Sequence, residues 1–198
     1  MSGHFSRPTK LPVREWIHAL AKTVMADAYQ QNLNTLVERV GDYPEEAYHF
    51  IRDGLGVAVD CVHGPETPAH RTVMHYLYKH KIDLLDLADL HEEGSLDDAV
   101  VEAIEQAGGM EKINRHVGGG DLCWGLRKYA QQRWGRLART VLTKWNIHST
   151  HDFGRIVFAM IEVDLLQKQP GDSIEDFTEV FDFDNGFDDS YEIMSDRR

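Results

Sequence analysis

HSTHDFGRIVFAMIEVDLL, residues 148–166, carries the pattern on which the fold class turns. Phe153, Ile156, Val157, Met160 and Ile161 recur at i, i+3, i+4, i+7 and i+8, the spacing of one face of an α-helix. Phe158, Val163 and Leu166 fill much of the remaining circumference, and a helix apolar nearly all round belongs at the centre of a bundle. Ser149, with Asp152 three residues on, places two oxygen acceptors where first-turn N–H groups need them. Asp152-Phe153-Gly154 is also the tripeptide that holds a metal ion in protein kinases. No glycine-rich phosphate loop precedes it and no H-R-D loop lies upstream, so it reads as a cap, a core residue and a close-packing glycine.

Working outward, residues 134–145 form an amphipathic helix with Trp134, Leu137, Ala138, Val141, Leu142 and Trp145 on one side. Arg133, Arg136, Arg139 and Lys144 fall on or beside the opposite side, and a preceding helix spans about 121–132 with Gly135 as the bend. Pro44, followed by Glu45 and Glu46, opens a helix whose buried stripe includes Ala47, Phe50 and Ile51. Pro12 begins a helix carrying Trp16, Ile17, Leu20 and Val24. Between these, residues 64–111 read as an acidic helical insertion. Within it SLDDAVVEAIEQAGG starts on a capping box of Ser95 and Asp98 and stops at Gly108-Gly109. The expected fold is all-α, a compact multi-helix single domain over 1–187, with core parts at 30–60 and 112–187. A short C-terminal β-hairpin around TEVFDF, or a winged-helix-like last third, is the structural alternative, and 188–198 reads as an acidic flexible tail.

Composition narrows the function classes. The 198 residues carry a net charge of −12 with 42% hydrophobic residues, enough to bury a core without staples. Two cysteines, Cys61 and Cys123, make neither a disulfide framework nor a zinc ribbon. No N-terminal apolar h-region and no apolar run long enough to span a bilayer are present, so the expectation is a cytoplasmic protein without a membrane segment. Charge is segregated: residues 112–145 hold eight Lys/Arg against Asp121, and residues 171–198 hold ten Asp/Glu against Arg197 and Arg198.

Residues 43–55 and 116–187 resemble a family of uncharacterised conserved proteins found mainly in Planctomycetes and Verrucomicrobia. The resemblance rests on YPEEAYHFIRDGL (43–55), His116, Arg127, Trp134-Gly135, LARTVL (137–142), Trp145-x-Ile147, THDFGRIVF (150–158) and EDFTEVFDF (175–183). Gly118 and Gly120 stand where this chain departs from the family pattern. The resemblance implies a shared fold and brings neither an activity nor catalytic residues with it.

Three surfaces are candidates for function. The glycine turn with Arg115, His116, Gly118, Gly119 and Gly120 could cradle an anion at a helix start, although Asp121 competes for the same N–H groups. The basic face of Arg127, Lys128, Arg133, Arg136, Arg139 and Lys144 could meet nucleic acid or a protein, but an acidic wing would repel phosphates. The acidic-aromatic segment 174–187 could fold back, seating Phe177, Phe181 and Phe183 in grooves with carboxylates toward Arg133, Arg136 and Arg139. Cys123 with His116 lacks an orienting partner, and the cluster Cys61, His63, His70, His75 matches no zinc spacing, so no catalytic residue, metal or cofactor is expected. The leading expectation is a non-enzymatic protein-interaction or regulatory module with a protein partner. A nucleic-acid-binding regulator using 127–144 comes second, and an anion- or nucleotide-binding enzyme using 115–121 third.

Overall fold

The apolar stripe predicted around Phe153 becomes α9, Thr150–Ile161, in a computed structural model that describes residues 29–188. The helix from Pro12 and the tail past 188 lie outside the described residues. Ser149 and Asp152 form a capping box at the start of α9. Phe153, Gly154, Ile156, Val157 and Met160 are buried. Against α9 pack α1 (29–40), α2 (Glu45–His63) and α7 (Gly119–Trp134). Leu33 and Leu36 of α1 are fully buried.

The contact between α2 and α7 is set by small residues. A Cβ added at Gly125 would lie 2.3 Å from the Ala58 Cβ and 2.5 Å from its Cα, so only glycine permits this backbone approach. Further along, Phe50 of α2 gathers the aromatic residues. Its ring lies 5.5 Å from Tyr129, 5.5 Å from Trp134, 6.0 Å from Trp145 and 6.2 Å from Phe153. The tryptophans at 134 and 145 therefore belong to the core, meeting edge to face at 5.2 Å.

After α7 a 3-10 turn (Gly135–Leu137) leads into α8 (Ala138–Lys144). The expected single helix over 134–145 is thus broken at Gly135, which has φ of 54°. This rotates Leu137 out of the apolar face, leaving it 64% exposed.

A second hydrophobic cluster gathers α3 (Pro68–His80), α4 (Leu84–Glu92), α5 (Asp98–Ala107) and α6 (Met110–Ile113) around Val73, Leu77, Leu87, Val100 and Ile104. Here the predicted Ser95 capping box does not form. Leu96 turns into the cluster first, so α5 begins two residues later with Asp97 as its N-cap and no side-chain cap. The box appears instead at α4, where Asp83 and Asp86 cap reciprocally.

The described residues contain no strand, so neither the hairpin nor the wing is present there. Ile174–Phe177 is a 3-10 turn and Phe183–Asp188 is α10. Acidic side chains close these turns on themselves: Asp176 accepts from the Ser173 N–H at 2.8 Å, and Asp182 from the Asp184 N–H at 3.1 Å. Local acceptors thereby outcompete the β-propensity of the aromatics.

Candidate functional site

The C-terminal segment lies back on the bundle. Phe177, Phe183 and Phe187 are buried in the main cluster. Phe181 is partly buried, with its ring 4.9 Å from that of Trp124 and stacked 6.0 Å from Phe183. Phe177 is seated between two glycines, since a Cβ at Gly119 or at Gly154 would come within 2.9 Å of its side chain. The α9 glycine of the opening stretch is therefore the floor of a Phe177 seat.

That seat changes the glycine turn. Gly118 is the N-cap of α7, with Gly119 and Gly120 in its first turn. Gly119 is buried beneath Phe177 and Asp176, whereas Gly118 is exposed and a Cβ at Gly118 or Gly120 would meet nothing within 4 Å. Asp121 lies in the first turn and does not cap. Arg115 donates to the Gly64 carbonyl and sits 3.4 Å from Asp60. His116 Nε2 donates to Asp172 at 2.9 Å, while the His116 carbonyl accepts from His63 Nε2 at 2.8 Å.

Behind this polar rim is a cavity of about 170 Å³ between α2, α7 and α9. Ile51, Leu55 and Val59 line it from α2, and Val157, Phe158 and Ile161 from α9. Leu122 and Phe177 also contribute, and Arg115, His116, Gln167, Asp172 and Asp176 supply its polar margin. Arg115 Nε is buried without a hydrogen-bond partner. Such a donor costs about 1–3 kcal/mol when nothing meets it, so a water or a ligand oxygen at this wall would be held by Arg115.

The basic block is not one open face. Arg127 donates to the Gly186 carbonyl and lies over Trp124, and Arg139 pairs with Asp184. Lys128 reaches the Cys61 sulfur at 3.3 Å, and Arg133 donates to the Tyr129 hydroxyl at 2.7 Å while lying over Trp134. Arg136 and Lys144 are exposed. Among the described residues, the carboxylate of Asp184 meets Arg139 of this block. Burial pushes the Cys123 thiol up to about 12, which keeps it protonated and identifies it as a packing residue. Among the described residues no group of three or more His, Cys, Asp or Glu is placed to hold a metal, and no helix is long and apolar enough to cross a membrane.

A second concave surface lies outside the main core. A groove of about 940 Å³ runs between α3, α4 and the 167–170 loop. Met74, Tyr78 and Leu85 line it at 48%, 68% and 76% exposure. Sequence reading missed it, yet a signal existed. Met74 and Tyr78 are four apart, one position out of phase with the buried Val73 and Leu77, so α3 carries a second apolar stripe. Asp172 and Asp176 were missed for a different reason, because nothing local distinguishes them from other acidic tail residues. No family model, no curated protein and no solved structure matches this chain.

Proposed function

We propose that this chain is a non-enzymatic protein-interaction module that docks its partner in the α3–α4 groove. The observation that carries this reading is the convergence of Met74, Tyr78 and Leu85, three large apolar side chains, on one concavity. Single exposed hydrophobics are ordinary on a surface, whereas a cluster around a groove marks an interaction site. Methionine and tyrosine are well suited to such contacts, since one adapts its shape and the other combines a large ring with a hydrogen-bonding tip. Lys79 and Lys81 line the same groove against Asp83. The occupant that fits is a partner segment with two or three apolar side chains flanked by carboxylates.

The test uses the full chain as bait in native extract, compared with a Tyr78→Glu, Leu85→Glu double variant. Both positions are exposed, so thermal melting of the variant should match the wild type within about 0.5 kcal/mol of stability. The expected result is a stoichiometric partner whose affinity, re-measured with the purified protein, falls by about a hundredfold in the variant. An identical set of captured proteins with both baits would refute the groove as the docking face.

A further inference from the structure

We infer that the cavity between α2, α7 and α9 binds a small uncharged molecule, an aliphatic or aromatic body bearing one acceptor oxygen that the Arg115 Nε–H holds. This inference does not depend on the groove, with which the cavity shares only Gln167.

Size sets the first constraint. The cavity measures about 170 Å³, and an apolar protein cavity of about 150 Å³ stays dry and admits benzene. A body of about six to eight non-hydrogen atoms therefore fits. Lining sets the second. The walls are the aliphatic side chains of α2 and α9 together with Phe158 and Phe177. Apolar surface of this kind favours a hydrocarbon body over water.

The polar margin decides the head group. Arg115 contributes one positive charge, but Asp172 and Asp176 contribute two negative ones. A carboxylate or phosphate head would meet those two carboxylates, and an ammonium head would meet the guanidinium. Asp172 is already committed to His116 and to the Gln169 N–H, at 2.9 and 2.8 Å. Asp176 already accepts from the Ser173 N–H. Gln167 lines the same margin but is exposed, so its amide can turn to water, and the buried group left over is a donor, Arg115 Nε–H, which has no partner. A ketone, ester or alcohol oxygen satisfies that donor without importing a charge.

Cyclohexanone, cyclohexane and hexanoate serve as probes of the full chain, followed by isotope-filtered NMR and thermal shift. The expected result is saturable cyclohexanone binding with intermolecular contacts to the Val157 and Leu122 methyl groups. Cyclohexane and hexanoate should each bind about tenfold more weakly. Arg115→Met, which keeps the aliphatic stem, should remove the preference of cyclohexanone over cyclohexane. Val157→Phe should abolish binding of all three by filling the cavity. Contacts to these methyl groups are read on the unaltered protein, so the assignment stays testable if Val157→Phe fails to fold. Absence of such contacts at saturating probe overturns the site. Equal binding of cyclohexanone and cyclohexane to the wild type overturns the role of Arg115, and tighter binding of hexanoate overturns the charge argument.

Discussion

At Asp152, four donors converge on one carboxylate: the His148 N–H, the Ser149 N–H and hydroxyl, and the Tyr43 hydroxyl at 2.8 Å. The first three cap α9, while the fourth ties that cap to the loop before α2. Burial opposes the ionised form, but the hydrogen bonds from His148, Tyr43 and Ser149 outweigh it and hold the carboxyl below its ordinary value. Tyr43 moves the other way, raised first by burial and then by the bond to Asp152. A lowered carboxyl contributes stability above its unfolded pKa of about 3.9 and loses it as pH falls through the folded value. Asp152→Asn should therefore cost about 1–3 kcal/mol near pH 7. Urea unfolding should show that gap narrowing below about pH 4, and a gap unchanged with pH would mean that the ionised form is not what stabilises. Gly125 makes a purely steric prediction. Gly125→Ala should lose about 1–3 kcal/mol in denaturant titration, because its Cβ would meet the Ala58 backbone, which cannot yield as a side-chain tip would.

Among the elements, the segment 174–187 poses the clearest question of which force holds it. Its aromatics are buried, with Phe177 at 4% exposure, whereas the Arg139–Asp184 pair is 40% and 73% exposed. An ion pair so open to solvent is screened and contributes about 0–1 kcal/mol. A buried phenylalanine is worth several times that. Phe177→Ala should destabilise the protein by about 3–5 kcal/mol, while Asp184→Asn should stay within about 1 kcal/mol. Equal losses from the two substitutions, measured by thermal unfolding at moderate salt, would invert this ranking. The same comparison explains why the acidic-aromatic alternation reads ambiguously as sequence. Its charges advertise a solvated segment, but its phenylalanines recur closely enough to anchor one.

At the scale of the molecule, two hydrophobic clusters among the described residues hold separate sets of helices. One is built from α1, α2, α7, α8, α9 and the C-terminal segment, and the other from α3 to α6. The cavity belongs to the first and draws on residues 51–59, 115–122, 157–167 and 172–177, parts of the chain that no local pattern connects. The groove belongs to the second cluster together with the 167–170 loop. The two proposed sites draw on different clusters and share one lining residue, Gln167. The charge segregation along the chain also resolves at this scale. Arg139 of the basic block pairs at the surface with Asp184 of α10, and Arg127 donates to the Gly186 carbonyl, so α10 engages part of that block.

Helix class, the burial of α9 and its Ser149–Asp152 cap could be derived from residues 148–166 alone, because periodicity and capping are relations among neighbours within about four positions. The same locality produced the errors: Ser95 looked like a cap until Leu96 was drawn into a core, and Leu137 looked buried until Gly135 turned the chain. Hydrophobic burial is non-directional, so a stripe announces that it is covered and not by what. Only the tertiary structure paired Phe177 with Gly119 and Gly154, set Asp172 against His116, and left the Arg115 Nε–H without a partner in a cavity wall.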